Sequence, residues 1–221
     1  MHKVIITKPV IEKLPNLRLG CIQCSVHVDP SNENILSLAD GIFSKIINKL
    51  DESLISQKPA IKETKDAYRK LGKDPSRYRP SAEALTRRIV KGKDLFWINN
   101  IVDILNLISL ESGFSIGGYD ADKIIGDVKL GIGNAGEPYP AIGRGVLNIE
   151  NLPVFRDEGG PFGSPTSDST RTMVTDRTTH FLMIILDFAG NKNLEHTIQR
   201  SKELYSKYAG VSYLESFIIT G

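Results

Sequence analysis

A mixed α/β fold, with a β-sheet core flanked by helices and a single domain over residues 1–221, is what this sequence predicts. Three observations lead there. Short alternating apolar runs lie near the N-terminus and recur after Gly113, and helical apolar periodicity dominates the stretch from Asn32 to Glu111. The third is composition: 221 residues, 40% apolar and 24% charged, suffice for one packed core and carry no signature of disorder.

Taken in order, MHKVIITKPVIEKL has a short apolar run at Val4 to Thr7 without the apolar region or small-residue cleavage site of a secretion signal, so it reads as a first strand. Leu17 to Val28 alternates as a second strand. An amphipathic helix spans about Asn32 to Lys49 and a charged helix about Pro59 to Leu71. Gly72 and two prolines within GKDPSRYRP stop that helix and form a connector. The next helix starts at Ser81, with Ala82, Leu85 and Ile89 on one face and Arg87, Arg88 and Lys91 turned outward.

The helix expected over about Trp97 to Glu111 is apolar on nearly every side, which places it in the core. Asn99, Asp103 and Asn106 recur on it at i, i+4 and i+7, forming one polar stripe. A buried amide or carboxylate costs a few kcal/mol unless it finds partners, so the stripe either bonds backbone or lines a polar cavity. After it the pattern predicts a Gly-rich turn at SIGGYD, then strands near Asp127 to Ile132, Gly145 to Ile149, Leu152 to Arg156 and His180 to Asp187. A helix from about Asn193 to Tyr208 and a last strand, VSYLESFII, follow. Gly159 to Thr170, GGPFGSPTSDST, has the composition of a mobile loop.

Net charge is only +2, but it is unevenly spread. Between Lys62 and Lys93 eleven Lys or Arg face four acids, leaving +7 there and −5 elsewhere. Such a segment suits phosphates, held by counterion release rather than sequence readout; solvated helix faces are the alternative. Cys21 and Cys24 form a lone CxxC inside a strand pattern, where residues three apart point to opposite faces, and this reads as two reduced structural thiols. Two cysteines and no apolar run long enough to span a bilayer lead to the expectation of a soluble, cytoplasmic protein with no membrane partner. Nothing calls for a metal or an organic cofactor.

Two motifs lack their context. Gly131, Gly133 and Gly136 spell GxGxxG, but Glu137-Pro138-Tyr139-Pro140 stands where a phosphate-binding helix should begin. Gly113, Ser115 and Gly117 spell GxSxG with a helix before it and a loop expected after it, the reverse of a nucleophile elbow.

The run RRIVKGKDLFWIN, VDILNLISLESG, SIGGYDADKI and then Gly136-Glu137, together with Phe155-Arg156-Asp157 and the Ser/Thr-rich segment Ser169 to Thr179, resembles the tRNA-editing module of the phenylalanyl-tRNA synthetase β subunit. The likeness covers nearly the whole chain, and its most specific part is the RR…IN…VD…N spacing. It implies a β-sheet core around a pocket that hydrolyses a misattached amino acid from the 3′ end of tRNA. The family's pocket has a Thr beside the helix Asn and a His in a PMHAFD-like turn; the matching positions here are Leu105 and Gly117. A whole β subunit carries further modules, so this length implies no aminoacylation by the chain alone.

What the resemblance implies is a stand-alone aminoacyl-tRNA deacylase, with tRNA as partner. Asn106 would orient substrate or water, and Glu137 would act as base or bind the substrate amine. Ser109, Asp120 and Gly117 would contact substrate, and Arg79, Arg87, Arg88 and Lys91 the acceptor-stem phosphates. A non-catalytic tRNA- or amino-acid-binding module is the alternative, which Leu105 and Gly117 favour. A small-ester hydrolase that uses the pocket without RNA is a third reading.

Overall fold

The computed structural model describes residues 2–221. In chain order its elements are β1 (Val4–Ile6), α1 (Lys8–Lys13), β2 (Arg18–Ser25), α2 (Glu33–Lys49), α3 (Pro59–Leu71), α4 (Ser81–Val90), α5 (Asn100–Ser112), β3 (Ser115–Asp120), β4 (Val128–Ile132), β5 (Pro140–Ala141), β6 (Gly145–Val146), β7 (Pro153–Asp157), β8 (Gly160–Gly163), β9 (His180–Asp187), α6 (Leu194–Tyr208) and β10 (Leu214–Thr220). The architecture is mixed α/β.

An antiparallel sheet runs β10-β2-β9-β3, and a second runs β1-β4-β7-β8 with β1 parallel to β4. Strand β9 shows why the first sheet lies in the middle. Phe181, Met183 and Ile185 pack towards α2, α5 and α6, while Leu182, Ile184 and Leu186 pack towards the second sheet. A strand covered on both faces reads as a continuous apolar run, and FLMIIL is one. Strand β2 divides likewise: Ile22 and Cys24 join the helical side, Leu19 and Cys21 the other. The two thiols are therefore buried in different layers, with burial pushing each up to about 12.

The helix ends follow local chemistry. Asn32 caps α2 by accepting from the Asn34 and Ile35 N–H groups. Gly72 ends α3 in the left-handed conformation, φ 90°, and Gly113 ends α5 at φ 83°. Several expectations change. The core helix starts at Asn100 rather than Trp97, because Asn99 is extended and caps it by accepting from Val102 N–H at 2.9 Å. SIGGYD is strand β3 rather than a turn, paired along its length with β9. The expected strand at Gly145 to Ile149 shrinks to the two residues of β6. GGPFGSPTSDST contains β8 and a mostly buried turn rather than a free loop, and helix α1, which no sequence pattern announced, follows the first apolar run. Among the described residues no helix is long and apolar enough to cross a membrane.

Candidate functional site

A cavity of about 410 Å³ opens between the helical layer and the edge of the first sheet. Helix α4 contributes Ser81, Ala84 and Leu85; α5 contributes Val102, Leu105, Asn106 and Ser109; β3 contributes Ile116 and Gly118. Phe181 closes the sheet side. Ile142 and Arg144 from the β5–β6 hairpin, Ser164 and Thr166 to Asp168 from the turn after β8, and Ile98, Met173 and Val174 complete the rim. The walls are mostly apolar, with a few polar groups among them, the usual composition of a small-molecule site.

The turn bearing Asp168 is held by three fully buried tyrosines from three parts of the chain. Tyr119 Oη donates to Asp168 Oδ1 at 3.1 Å, Tyr139 Oη donates to the Ser167 carbonyl at 2.7 Å, and Tyr68 Oη bonds Thr166 Oγ1 at 2.9 Å. The turn also bonds itself, Ser164 Oγ donating to the Ser167 carbonyl at 2.8 Å. Ser81 N–H donates to the Pro165 carbonyl and Ile142 N–H to the Asp168 carbonyl, which ties α4 and the hairpin to it. Burial pushes the Asp168 carboxyl up to about 7, against the opposing pull of its bonds from Tyr119 and from Gly118 N–H. Among the described residues no cation is paired with it.

Glycine shapes the same corner. A Cβ on Gly117 would lie 1.9 Å from Tyr119 Oη, and one on Gly163 would lie 2.1 Å from it. A Cβ on Gly118 would meet Leu105 at 2.4 Å. Gly117 thus packs on Tyr119, and its neighbour Gly118 faces the cavity. Gly117, expected to contact substrate, is not among the residues that line the cavity.

Of the expected polar stripe, Asn106 lines the cavity, half-buried. Asp103 is buried at the start of α5, accepting from Ser31 Oγ at 2.6 Å and Ile98 N–H at 3.1 Å, so it anchors the rim segment that carries Ile98. Ser109 lines the cavity, but its hydroxyl donates to the Phe114 carbonyl at 2.7 Å. Asp120 lies outside the lining. It caps the short turn after β3, accepting from Thr178 Oγ1 at 2.9 Å and Asp122 N–H at 3.2 Å, with Lys123 at 3.2 Å.

Glu137 is also outside the lining. Arg156 on β7 grips it at 2.7 Å and Asn134 N–H from its own turn donates to it at 3.0 Å, so its carboxylate is used there and does not line the cavity. The acid that does face it, Asp168, had no sequence signal beyond its place among small hydroxyl residues, which reads as loop.

Much of the basic segment is ion-paired, although its cations outnumber the carboxylates that hold them and it stays positive. Glu83, 2% exposed, draws in Lys65 at 3.2 Å, Arg87 at 2.9 Å and Arg79 at 3.8 Å, and Glu52 holds Arg87 at 3.0 Å and Lys91 at 3.1 Å. Of the four residues expected on phosphates, Arg88 alone has no carboxylate partner. It donates to the Asp94 carbonyl, and its guanidinium lies 3.9 Å from the centre of the Phe96 ring. Among the described residues no cluster of three or more His, Cys, Asp or Glu side chains could hold a metal ion.

A family model described as B3/4 domain matches residues 63–208, a segment that carries every residue lining the cavity. The crystal structure of an N-terminal fragment of the phenylalanyl-tRNA synthetase β subunit from Pyrococcus horikoshii has a similar fold, with TM-score 0.50 and 12% identity. The alignment covers 99% of this chain and 54% of that one, so this chain spans about half the length of that structure. No curated protein matches the chain.

Proposed function

The chain belongs to the B3/4 domain family, and from that premise we propose that it is an aminoacyl-tRNA deacylase, the cavity holding the amino acid that is esterified to the 3′ end of a tRNA. The observation that carries this reading is Asp168. It is a carboxylate facing a mostly apolar cavity, uncompensated by a cation and raised to about 7, where it can accept and return a proton near neutral pH.

The steps assigned to this chain are few. Water attacks the ester carbonyl while Asp168 takes its proton. The Asn106 amide donates to the oxygen that gains charge. The tetrahedral adduct then collapses, and Asp168 returns the proton to the departing ribose oxygen, leaving a free amino acid and an uncharged tRNA end. Leu85, Leu105 and Phe181 would surround the amino-acid side chain. Asp168 thus takes the base role that the resemblance assigned to Glu137.

Deacylation of a panel of mischarged tRNAs at low salt, by the wild type and Asp168→Asn, tests it. Hydrolysis by the wild type that is lost in the variant, with tRNA affinity kept, supports a deacylase. Salt-sensitive tRNA binding with no hydrolysis supports the second reading, a binding module. Leu105 favours that one: it presses on Gly118 inside the cavity at the position where the resemblance implies a threonine. Absence of both signals overturns the tRNA assignment.

A further inference from the structure

Phe96 is 70% exposed and Ile98 60% exposed, side by side with a cavity whose rim already shows Ile142 and Met173. Residues 93–99 form neither helix nor strand, and exposure varies along them: Leu95 and Asn99 are buried, Phe96 and Ile98 exposed. Phe96 is two residues from Ile98, at most about 7 Å along the chain, and Ile98 itself lines the cavity. Arg88 approaches the same place from α4. Ala84 and Leu85 line the cavity, and Arg88 follows them by four and three positions, on the same helix face.

Arg88 lies over one face of the Phe96 ring, 3.9 Å from its centre, and an exposure of 70% leaves the other face open. A bare aromatic ring backed by a guanidinium is what a single-stranded nucleic acid uses for base stacking, and one with no cation would suit any apolar partner. Cations without a carboxylate partner on the same segment and in the cavity lining reinforce the choice. Arg88 and Lys93 have no carboxylate partner among the described residues, and neither does Arg144 across the cavity, whereas Arg79, Arg87 and Lys91 are all ion-paired.

We propose that Phe96, backed by Arg88, is the stacking platform for the terminal unpaired base of the nucleotide that carries the ester, and that Lys93 and Arg144 take its phosphates. This rests on the reading of the cavity as an acyl-ester site. It names the part of the substrate that would sit outside the cavity. The ester at the ribose would then lie between platform and cavity, with the amino acid directed inward.

Equilibrium dialysis of a radiolabelled CCA trinucleotide tests the platform without any turnover. The wild type, Phe96→Ala, Phe96→Trp and Arg88→Ala would be compared, together with a trinucleotide that lacks its terminal base. Stacking contributes roughly 1–3 kcal/mol per base, so Phe96→Ala should weaken binding about tenfold, with Phe96→Trp restoring it. Removing the terminal base should weaken binding to the wild type by a similar factor and hardly alter binding to Phe96→Ala. Unchanged affinity in Phe96→Ala, or an equal penalty for the missing base in both proteins, overturns the platform. Deacylation that depends on Asp168, with trinucleotide binding indifferent to Phe96, sinks this inference alone. Phe96-dependent binding without any deacylation keeps it and removes the hydrolytic reading.

Discussion

The Tyr119 hydroxyl donates to Asp168 Oδ1 at 3.1 Å, from a ring that is fully buried between Gly117 and Gly163. This bond joins the sheet edge to the only carboxylate in the cavity lining, and it links glycine packing to the chemistry proposed for the site.

The Asp168 carboxyl makes stability depend on pH. Its folded value is about 7, and an unfolded aspartate titrates near 4. Between those values the folded protein keeps a proton that the unfolded chain releases, so this group's contribution is fully present below about pH 4 and is lost as pH rises through 7. Asp168→Asn has no such charge to bury. Denaturant titrations from pH 4 to 8 should show the variant gaining on the wild type as pH rises; parallel curves would contradict the assignment.

Removing the Tyr119 hydroxyl should push Asp168 further in the same direction, because its hydrogen bond favours the charged carboxylate. The pH–rate profile of deacylation is expected to rise through about pH 7 in the wild type, and in Tyr119→Phe it should move to higher pH with the fold intact. A profile that does not shift would separate Asp168 from the rate.

Gly117→Ala places a methyl group 1.9 Å from Tyr119 Oη. Because the ring is enclosed, the displacement should cost about 1–3 kcal/mol and disturb the Asp168 bond. Thermal melts would show lower stability, and a second change, Tyr119→Phe, should recover part of it by removing the atom that clashes.

Glu137→Ala removes the partner of Arg156 rather than a group facing the cavity. Stability should fall by roughly 1–3 kcal/mol as the half-buried guanidinium loses its carboxylate. Turnover per folded molecule should remain. Loss of turnover at unchanged stability would return the catalytic role to Glu137.

Glu83→Ala should be among the most destabilising single changes in α4. It removes a buried carboxylate, stranding Lys65 and leaving Arg87 with Glu52 alone, at a cost of roughly 3–5 kcal/mol. Chemical denaturation measures it. A change under about 0.5 kcal/mol, as for ordinary surface substitutions, would show that the cluster is solvated in solution.

Local pattern carried much of the fold. The doubly covered strand at His180–Asp187 is visible as FLMIIL, the helix at Pro59–Leu71 has matching ends in sequence and structure, and the opposite facing of Cys21 and Cys24 follows from a period of two. These are properties of neighbours along the chain. SIGGYD misled because three of its six residues have small side chains or none, and only pairing with β9 makes it a strand. The site depended on partners far apart in sequence: Tyr119 meets Asp168 49 residues away, Arg87 meets Glu52 35 residues away, and Arg156 meets Glu137 19 residues away. Charge counts and motif spacing register which groups are present, whereas packing decides which of them neutralise one another. It is the tertiary structure that left Asp168 and Arg144 in one cavity, and Arg88 beside it, with no ion-pair partner among the described residues, and used up Glu137 elsewhere.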